Sequence, residues 1–337
     1  MIIGFLRNTL QPTEFAKLTA MLCKFNGNDL IYLRPRDIDK KNNKVTGKMF
    51  IDNEWVTVEH SIPKVIDISP FCLKHKELVK YLRKHTYLTD DGNNRLTKET
   101  LQERLIDDGV FSDFIIPARH ITEFNDVVDF LDEHKEIVVK PVYSQMGMGI
   151  YRIKKTEDSY IIGHKTENVT ATLKELETMY NDKIKGKRHI AQKFIISRNK
   201  SDDPFDCRIH VEKNREGKWQ IARIYVRIGI GQKVISNVNQ GGGIADIVPF
   251  LKANYEGGWE EIHNKLNEFA LSYPYKHEEI RGVKVMSLGV DIGIDKSGKL
   301  YMFEANSAPA TSSLKAEVAM LRTGYYQYLI DSKLKGQ

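Results

Sequence analysis

At 337 residues the chain is long enough for two or three lobes, each with its own buried core. Hydrophobic residues make up 41% and charged residues 28%, which excludes a largely disordered chain, and no apolar run approaches the ~20 residues of a membrane-spanning helix. The net charge of +6, from 51 basic and 45 acidic residues spread along the chain, suits a phosphate-bearing or acidic ligand. It argues against nucleic acid as a partner, because no dense basic patch interleaved with aromatics occurs.

In chain order, residues 2–6 read as a first strand rather than a signal peptide, having no basic lead and too short an apolar stretch. Pro12 opens a helix with the apolar stripe Phe15, Leu18, Met21, Leu22 and Phe25, closed by Gly27. Residues 30–33 form a second strand, 48–58 a hairpin turning at Asp52-Asn53, and 65–68 a further strand. A helix over 75–85 leads to the polar run 89–94, a domain boundary. Helices follow at 97–107 and 122–134, the latter amphipathic through Phe124, Val127, Val128 and Leu131. Strands at 137–141, 150–153 and 160–162 precede a helix at 173–180. The remainder is strand-rich, at 189–196, 206–212, 219–228, 286–294 and 300–305, with helices at 258–272 and 314–331. Cys23, Cys72 and Cys207 lie too far apart in sequence to suggest a disulfide framework or a metal-binding pair, which fits a reducing, cytoplasmic location.

Two segments carry chemistry. Val139-Lys140-Pro141 ends a buried strand with a lysine, and the segment behind it, containing Ser144, Gly147 and Gly149, lets backbone N–H groups approach phosphate oxygens. The bland alternative is a flexible hairpin loop with Lys140 reaching solvent. It is neither a Walker loop nor a dinucleotide fingerprint. Further on, Asp295-Lys-Ser-Gly298 joins two alternating strands. A turn centred between Lys296 and Ser297 sets Asp291 opposite Met302, with Glu304 its diagonal neighbour and Asn306 on the same face. Two carboxylates and an amide oxygen so placed call for Mg²⁺. The alternative, a solvated strand face, fits poorly with neighbours as apolar as Leu288, Val290, Ile292, Met302 and Phe303.

Between these segments, Asp206 and Arg208 share a strand face, as do Arg223 and Arg227, and Asn237 precedes the loose Gln240-Gly-Gly-Gly run. Arginine forks clamp phosphoryl and carboxylate oxygens, although most strand arginines make surface ion pairs.

Lys98, Lys140-Pro, the glycine loop, Gln192-Lys-Phe-Ile195, Asp206-Cys-Arg208, Asn237, Asp291 and Glu304-Ala-Asn306 occur in the order and approximate spacing of the ATP-grasp superfamily. The chain resembles most the YheC/YheD-type ATP-grasp proteins, through Val-Lys-Pro, Gly-Ile-Tyr-Arg-Ile and Leu-Gly-Val-Asp-Ile-Gly-Ile-Asp. The resemblance implies an α/β and α+β architecture: a pre-ATP-grasp α/β domain over 1–94, a central lobe over 95–188 and a C-terminal lobe over 189–337, with ATP between the last two. It implies that Lys98 and Lys140 reach the phosphates under a loop containing Ser144, Gly147 and Gly149. Gln192 would lead into the backbone of Lys193, Phe194 and Ile195, which would hold adenine, and Asp206 would contact the nucleotide. Arg208, Arg227 and Asn237 would act at the transferred phosphoryl group, and Asp291, Glu304 and Asn306 would bind two magnesium ions. The implied reaction joins a carboxylate of a small molecule or peptide to an amine or thiol through an acyl phosphate, releasing ADP and phosphate. Phosphotransfer to a hydroxyl, or a non-catalytic spore-coat role, are the alternatives, and a homodimer without membrane insertion is expected.

Overall fold

The computed structural model describes residues 1–90, 92, 96–142, 149–164, 167–229 and 242–334, apart from the side chains of Lys98, Glu99 and Leu334. Its described strands form three sheets in chain order.

The first sheet takes β1 (Ile2–Leu6), α1 (Glu14–Phe25), β2 (Asp29–Leu33), β3 (Ile38–Asp39), β4 (Lys44–Ile51), β5 (Glu54–Ser61), β6 (Val65–Ile68), α2 (Lys76–His85) and β7 (Tyr87–Leu88). The strand order is β3-β4-β2-β1-β6-β7, with β5 paired to β4. β1 lies parallel to both β2 and β6, so the chain winds one way through α1 and then crosses to the other side. Both faces are apolar, as in buried parallel strands. Ile3, Phe5, Leu30 and Tyr32 pack on one side, and Leu6, Ile31, Leu33 and Ile66 on the other. Asp52 and Asn53 both take positive φ, as a tight two-residue turn requires.

The apolar stripe of α1 lies elsewhere than its sequence suggests. Ala16, Thr19, Ala20 and Cys23 are buried, whereas Met21 is 49% and Phe25 88% exposed. Small residues face inward because the C-terminal helix lies close against this one, sharing a core through Tyr325, Tyr326 and Leu329. The cap is Thr13, whose side chain accepts from the Ala16 N–H, with Pro12 just outside.

The second sheet follows α3 (Lys98–Asp108). It holds β8 (Ala118–Ile121), α4 (Phe124–His134), β9 (Glu136–Pro141), β10 (Tyr151–Lys155), β11 (Tyr160–His164), β12 (Glu167–Ala171), α5 (Leu173–Lys183) and β13 (His189–Lys193), in the antiparallel order β12-β11-β10-β9-β13-β8. Ile137, Val139 and Ile153 point to α4 and α5, meeting Val127, Leu131 and Leu176.

The third sheet is built from β14 (Phe205–Lys213), β15 (Trp219–Ile228), β16 (Gly243–Asp246), α6 (Ile247–Asn254), α7 (Trp259–Arg281), β17 (Ser287–Ile294) and β18 (Leu300–Asn306), followed by α8 (Lys315–Leu329). Its order is β16-β15-β14-β17-β18, all antiparallel. α7 runs on past Pro274 and supplies Leu266, Phe269 and Tyr273 to the core beneath the sheet. Among the described residues no helix is long and apolar enough to cross a membrane.

Candidate functional site

β14 is buried along its whole length and carries two faces. Phe205, Cys207, Ile209 and Val211 belong to the apolar core, while Asp206, Arg208, His210 and Glu212 alternate with them on the opposite face. Burying such a charged row requires partners for every member. The neighbouring strands supply those of Asp206 and Arg208, and α8 supplies that of Glu212.

The first partner is Asp291 on β17, in register with Arg208. Arg208 donates to it through Nε and Nη2, the latter at 3.1 Å. Arg227 on β15 forks onto Asp206 with two bonds of 2.7 Å and reaches the Asp291 Oδ2 at 2.9 Å. Burial works against a charged Arg227, but Asp206 and Asp291 outweigh it and hold the guanidinium more firmly protonated than usual. Arg223, also on β15, instead pairs with Asp246 at the sheet's solvated edge.

The β17–β18 hairpin corrects the expected register. Ile292 pairs with Met302, which centres the turn on Ser297 and shifts the pairing by one residue, and a further slip between Asp291 and Ile292 leaves Phe303 as an extra residue and pairs Asp291 with Glu304 directly. The two carboxylates therefore face each other rather than lying diagonally. Asn306 pairs with Gly289, two steps along on the same side. Phe303 fills the space a Gly293 side chain would need: a Cβ there would lie 2.2 Å from its ring. On its other side Phe303 packs with Ile116, Ile195 and Tyr301, so the bulge ties the hairpin to the end of β13.

In the second sheet Lys140 and Gln192 share one face, and the Lys140 ammonium donates to the Gln192 side-chain carbonyl at 2.7 Å. Arg152, on the same face, pairs with Glu136 and stacks its guanidinium 4.4 Å from the Phe194 ring centre. The backbone expected to meet adenine is partly committed. The Lys193 N–H donates to the Pro117 carbonyl and the Phe194 N–H to that of Glu136, both at 2.9 Å. Among the described residues, the Ile195 N–H donates to no backbone carbonyl. Gly149 lies just after the loop, with φ of 72° and its α-carbon beside Pro141. Ser144, Gly147, Asn237 and the Lys98 side chain lie outside the described residues.

A second cluster went unread in the sequence. Glu212 accepts from Arg322 at 3.0 and 3.1 Å, from Ser287 at 2.7 Å, and lies 2.7 Å from the His210 ring nitrogen Nε2. Burial alone would keep this carboxyl neutral, but Arg322 and His210 overcome it and lower its pKa. The alternation of polar residues from 206 to 212 was the available signal; Arg322, 110 positions away, had none.

The residue types suit magnesium: Asp291 and Glu304 face each other across the hairpin with Asn306 two residues beyond Glu304, all oxygen donors, and Asp291 also takes the bonds of Arg208 and Arg227. Asp206, Asp291 and Glu304 against Arg208 and Arg227 leave a formal charge of −1, which a divalent cation can complement. Among the described residues no three of His, Cys, Asp and Glu gather as a metal site.

Comparison with known proteins agrees with this fold. Residues 91–331 match the family model described as YheC/D like ATP-grasp. The endospore coat-associated protein YheD of Bacillus subtilis (strain 168) is 30% identical over 211 residues, 58% of this chain and 45% of that protein, so the chain matches less than half of it. YheC of the same organism is 23% identical over 86% of this chain and 82% of its own. A structure of the ATP-grasp ligase PsnB complexed with a minimal precursor, Mg and ADP superposes with a TM-score of 0.55 at 10% identity, over 99% of this chain and 98% of that one. The expected ATP-grasp architecture is thereby met.

Proposed function

Because the chain belongs to the YheC/D-like ATP-grasp family, we propose that it uses Mg-ATP to activate a carboxylate for attack by an amine or thiol. The observation that carries this reading is the direct opposition of Asp291 and Glu304, with Arg208 and Arg227 anchored beside them. In this reading residues 1–94 form a preceding domain, and ATP lies between the lobes 95–188 and 189–337.

Lys140, braced by Gln192, meets the phosphates together with Lys98 and the loop bearing Ser144, Gly147 and Gly149. The Ile195 N–H and nearby carbonyls of the Gln192–Ile195 segment hold adenine. Asp291, Glu304 and Asn306 hold magnesium, which neutralises phosphate charge when bound. Asp206 holds Arg227 in position, and Arg227, Arg208 and Asn237 orient the γ-phosphoryl group. A substrate carboxylate oxygen attacks the γ-phosphorus and ADP leaves; the amine or thiol then attacks the acyl carbon and phosphate departs with the bonding pair. Positioning and charge neutralisation carry the catalysis, with no covalent enzyme intermediate.

A non-catalytic coat role is favoured by one observation, that the curated relatives are named as endospore coat-associated proteins. The readings separate experimentally. Mg-ADP should raise the melting temperature of the wild type and not of Glu304→Gln. Hydroxylamine with Mg-ATP and a panel of amino acids and short peptides should yield a hydroxamate together with ADP. Nucleotide binding without ADP release from any panel member would favour the coat role, and equal Mg-ADP stabilisation of both proteins would remove the metal site.

A further inference from the structure

Residues 1–89 hold 15 lysines and arginines against 9 acids, so their excess of six equals the net charge of the whole chain. The rest of the molecule is balanced, and any long-range attraction for a charged partner belongs to the first sheet and its helices. On this unit the loop leaving β1 is pinned at three points. Asn8 donates to the Phe71 carbonyl at 2.9 Å, the Tyr32 hydroxyl to the Thr9 carbonyl at 2.8 Å, and the Lys48 ammonium to the Gln11 side-chain carbonyl at 2.7 Å. Leu10, between the last two, is nevertheless 64% exposed, and Phe71, bonded to Asn8, is 71% exposed. Apolar side chains turned outward from a fixed backbone make good anchors, because little ordering remains to be lost on binding.

A hollow lies on each side of Leu10. One, of about 290 Å³, is walled by Tyr32, Arg34, Arg36, Asp37, Thr46 and Lys48. The other, of about 500 Å³, runs from Arg34 and Arg36 to His75 and Leu78 at the start of α2. The acids here are already engaged. Asp37 accepts from Arg34 Nε and Nη2, both at 2.8 Å, and Asp39 accepts from the backbone of Lys41 and Asn42 and from the Asn42 side chain. The cations are not. Lys48 meets only the neutral amide of Gln11, and among the described residues the Arg36 side chain makes no hydrogen bond or ion pair.

A flat lipid surface would rest on Leu10 without filling either hollow. A phosphate polymer would bring evenly spaced charge against Asp37 and Asp39 as well as against the cations. An acidic peptide can alternate, offering carboxylates to Arg36 and Lys48 and apolar side chains to the hollows. We propose that this face docks an extended acidic segment of a partner polypeptide, its carboxylates meeting Arg36 and Lys48 and a flanking apolar side chain packing on Leu10. Guanidinium forks suit carboxylates, and an acidic partner complements the charge of the first unit. This docking does not depend on the ligase reading, since it would tether a polypeptide to a catalyst or to a coat component alike.

Selection from a displayed library of random dodecapeptides on the full chain tests it. Arg36→Glu and Leu10→Asp are the variant baits, and Lys174→Glu, at an exposed lysine of α5, is the charge-matched control. Both variant positions are exposed, so neither change should disturb folding. Sequences enriched on the wild type should combine Asp and Glu with Leu or Phe. A labelled peptide of the most enriched sequence should bind each variant at least about tenfold more weakly, the Lys174→Glu protein equally well, and the wild type less as salt rises. Failure to enrich acidic sequences, undiminished binding by either variant, or equal weakening by Lys174→Glu would overturn the proposal. Co-sedimentation with phosphatidylcholine–phosphatidylserine vesicles, lost in Leu10→Asp, without enrichment of acidic peptides would overturn it in favour of a lipid surface.

Discussion

Asp206→Asn tests whether the arginine clasp is an electrostatic unit. In the native protein Arg227 gives two bonds of 2.7 Å to Asp206 and one of 2.9 Å to Asp291. The pair is largely buried, with side-chain exposures of 19% and 8%. Breaking a buried pair by removing one partner costs about 3–5 kcal/mol when the remaining charge is stranded. Here Asp291 remains as a counter-charge, and Asn keeps one acceptor, so the expected loss is about 2 kcal/mol. Arg227→Met in the Asp206→Asn background removes the stranded charge and should recover about half of it, since Asp291 retains Arg208. Urea unfolding followed by tryptophan emission in a Trp55→Phe background reports on this lobe, because the other two tryptophans, Trp219 and Trp259, both lie in it. A single variant within about 0.5 kcal/mol of wild type, or a double variant losing the sum of the two singles, would refute the reasoning.

Two further perturbations address the frame around the site. Burial, with the nearby Arg281 charge, pushes the His277 pKa from 6.5 down to about 4. The unfolded chain therefore takes up this proton first as pH falls, and up to about 3 kcal/mol of stability disappears between pH 6.5 and 4; His277→Gln should flatten that part of the stability–pH curve, and an unchanged slope would count against it. Gly293→Ala sets a Cβ 2.2 Å from the Phe303 ring and should cost about 1–3 kcal/mol. In a Phe303→Ala background the same change should be nearly silent, and equal melting-temperature losses in both backgrounds would disprove the contact.

Much of the fold was legible because its central strands and helices carry regular patterns. What escaped is the short helix α6 and the strands at sheet edges. β8 and β12 flank the second sheet and β16 the third, and residues such as Arg119, Glu167 and Asn168 on them are exposed, leaving no apolar alternation to read. The α1 stripe misled because a helix pressed against another helix buries alanine as readily as leucine, whereas sequence inspection follows the large side chains. At the site, the residue types on the hairpin were readable but their register was not. A bulge at Phe303 depends on the ring finding Gly293 beneath it and Ile116 and Ile195 beside it, and the latter two come from another part of the chain.

The charged face of β14 links the two clusters. Asp206 and Arg208 serve the hairpin carboxylate, and four residues beyond Arg208 on the same strand Glu212 holds Arg322 of α8. At about 3.4 Å per residue, Arg208 and Glu212 stand about 14 Å apart along a fully buried, extended backbone. Neither can shift without moving core residues such as Ile209 and Val211 between them. The spacing between the two clusters is thereby fixed by a rigid strand rather than by loops. The buried charges are tolerable because each is matched, Arg208 by Asp291 across the sheet and Glu212 by Arg322 from α8. Such matching favours a preorganised arrangement over one assembled by ligand.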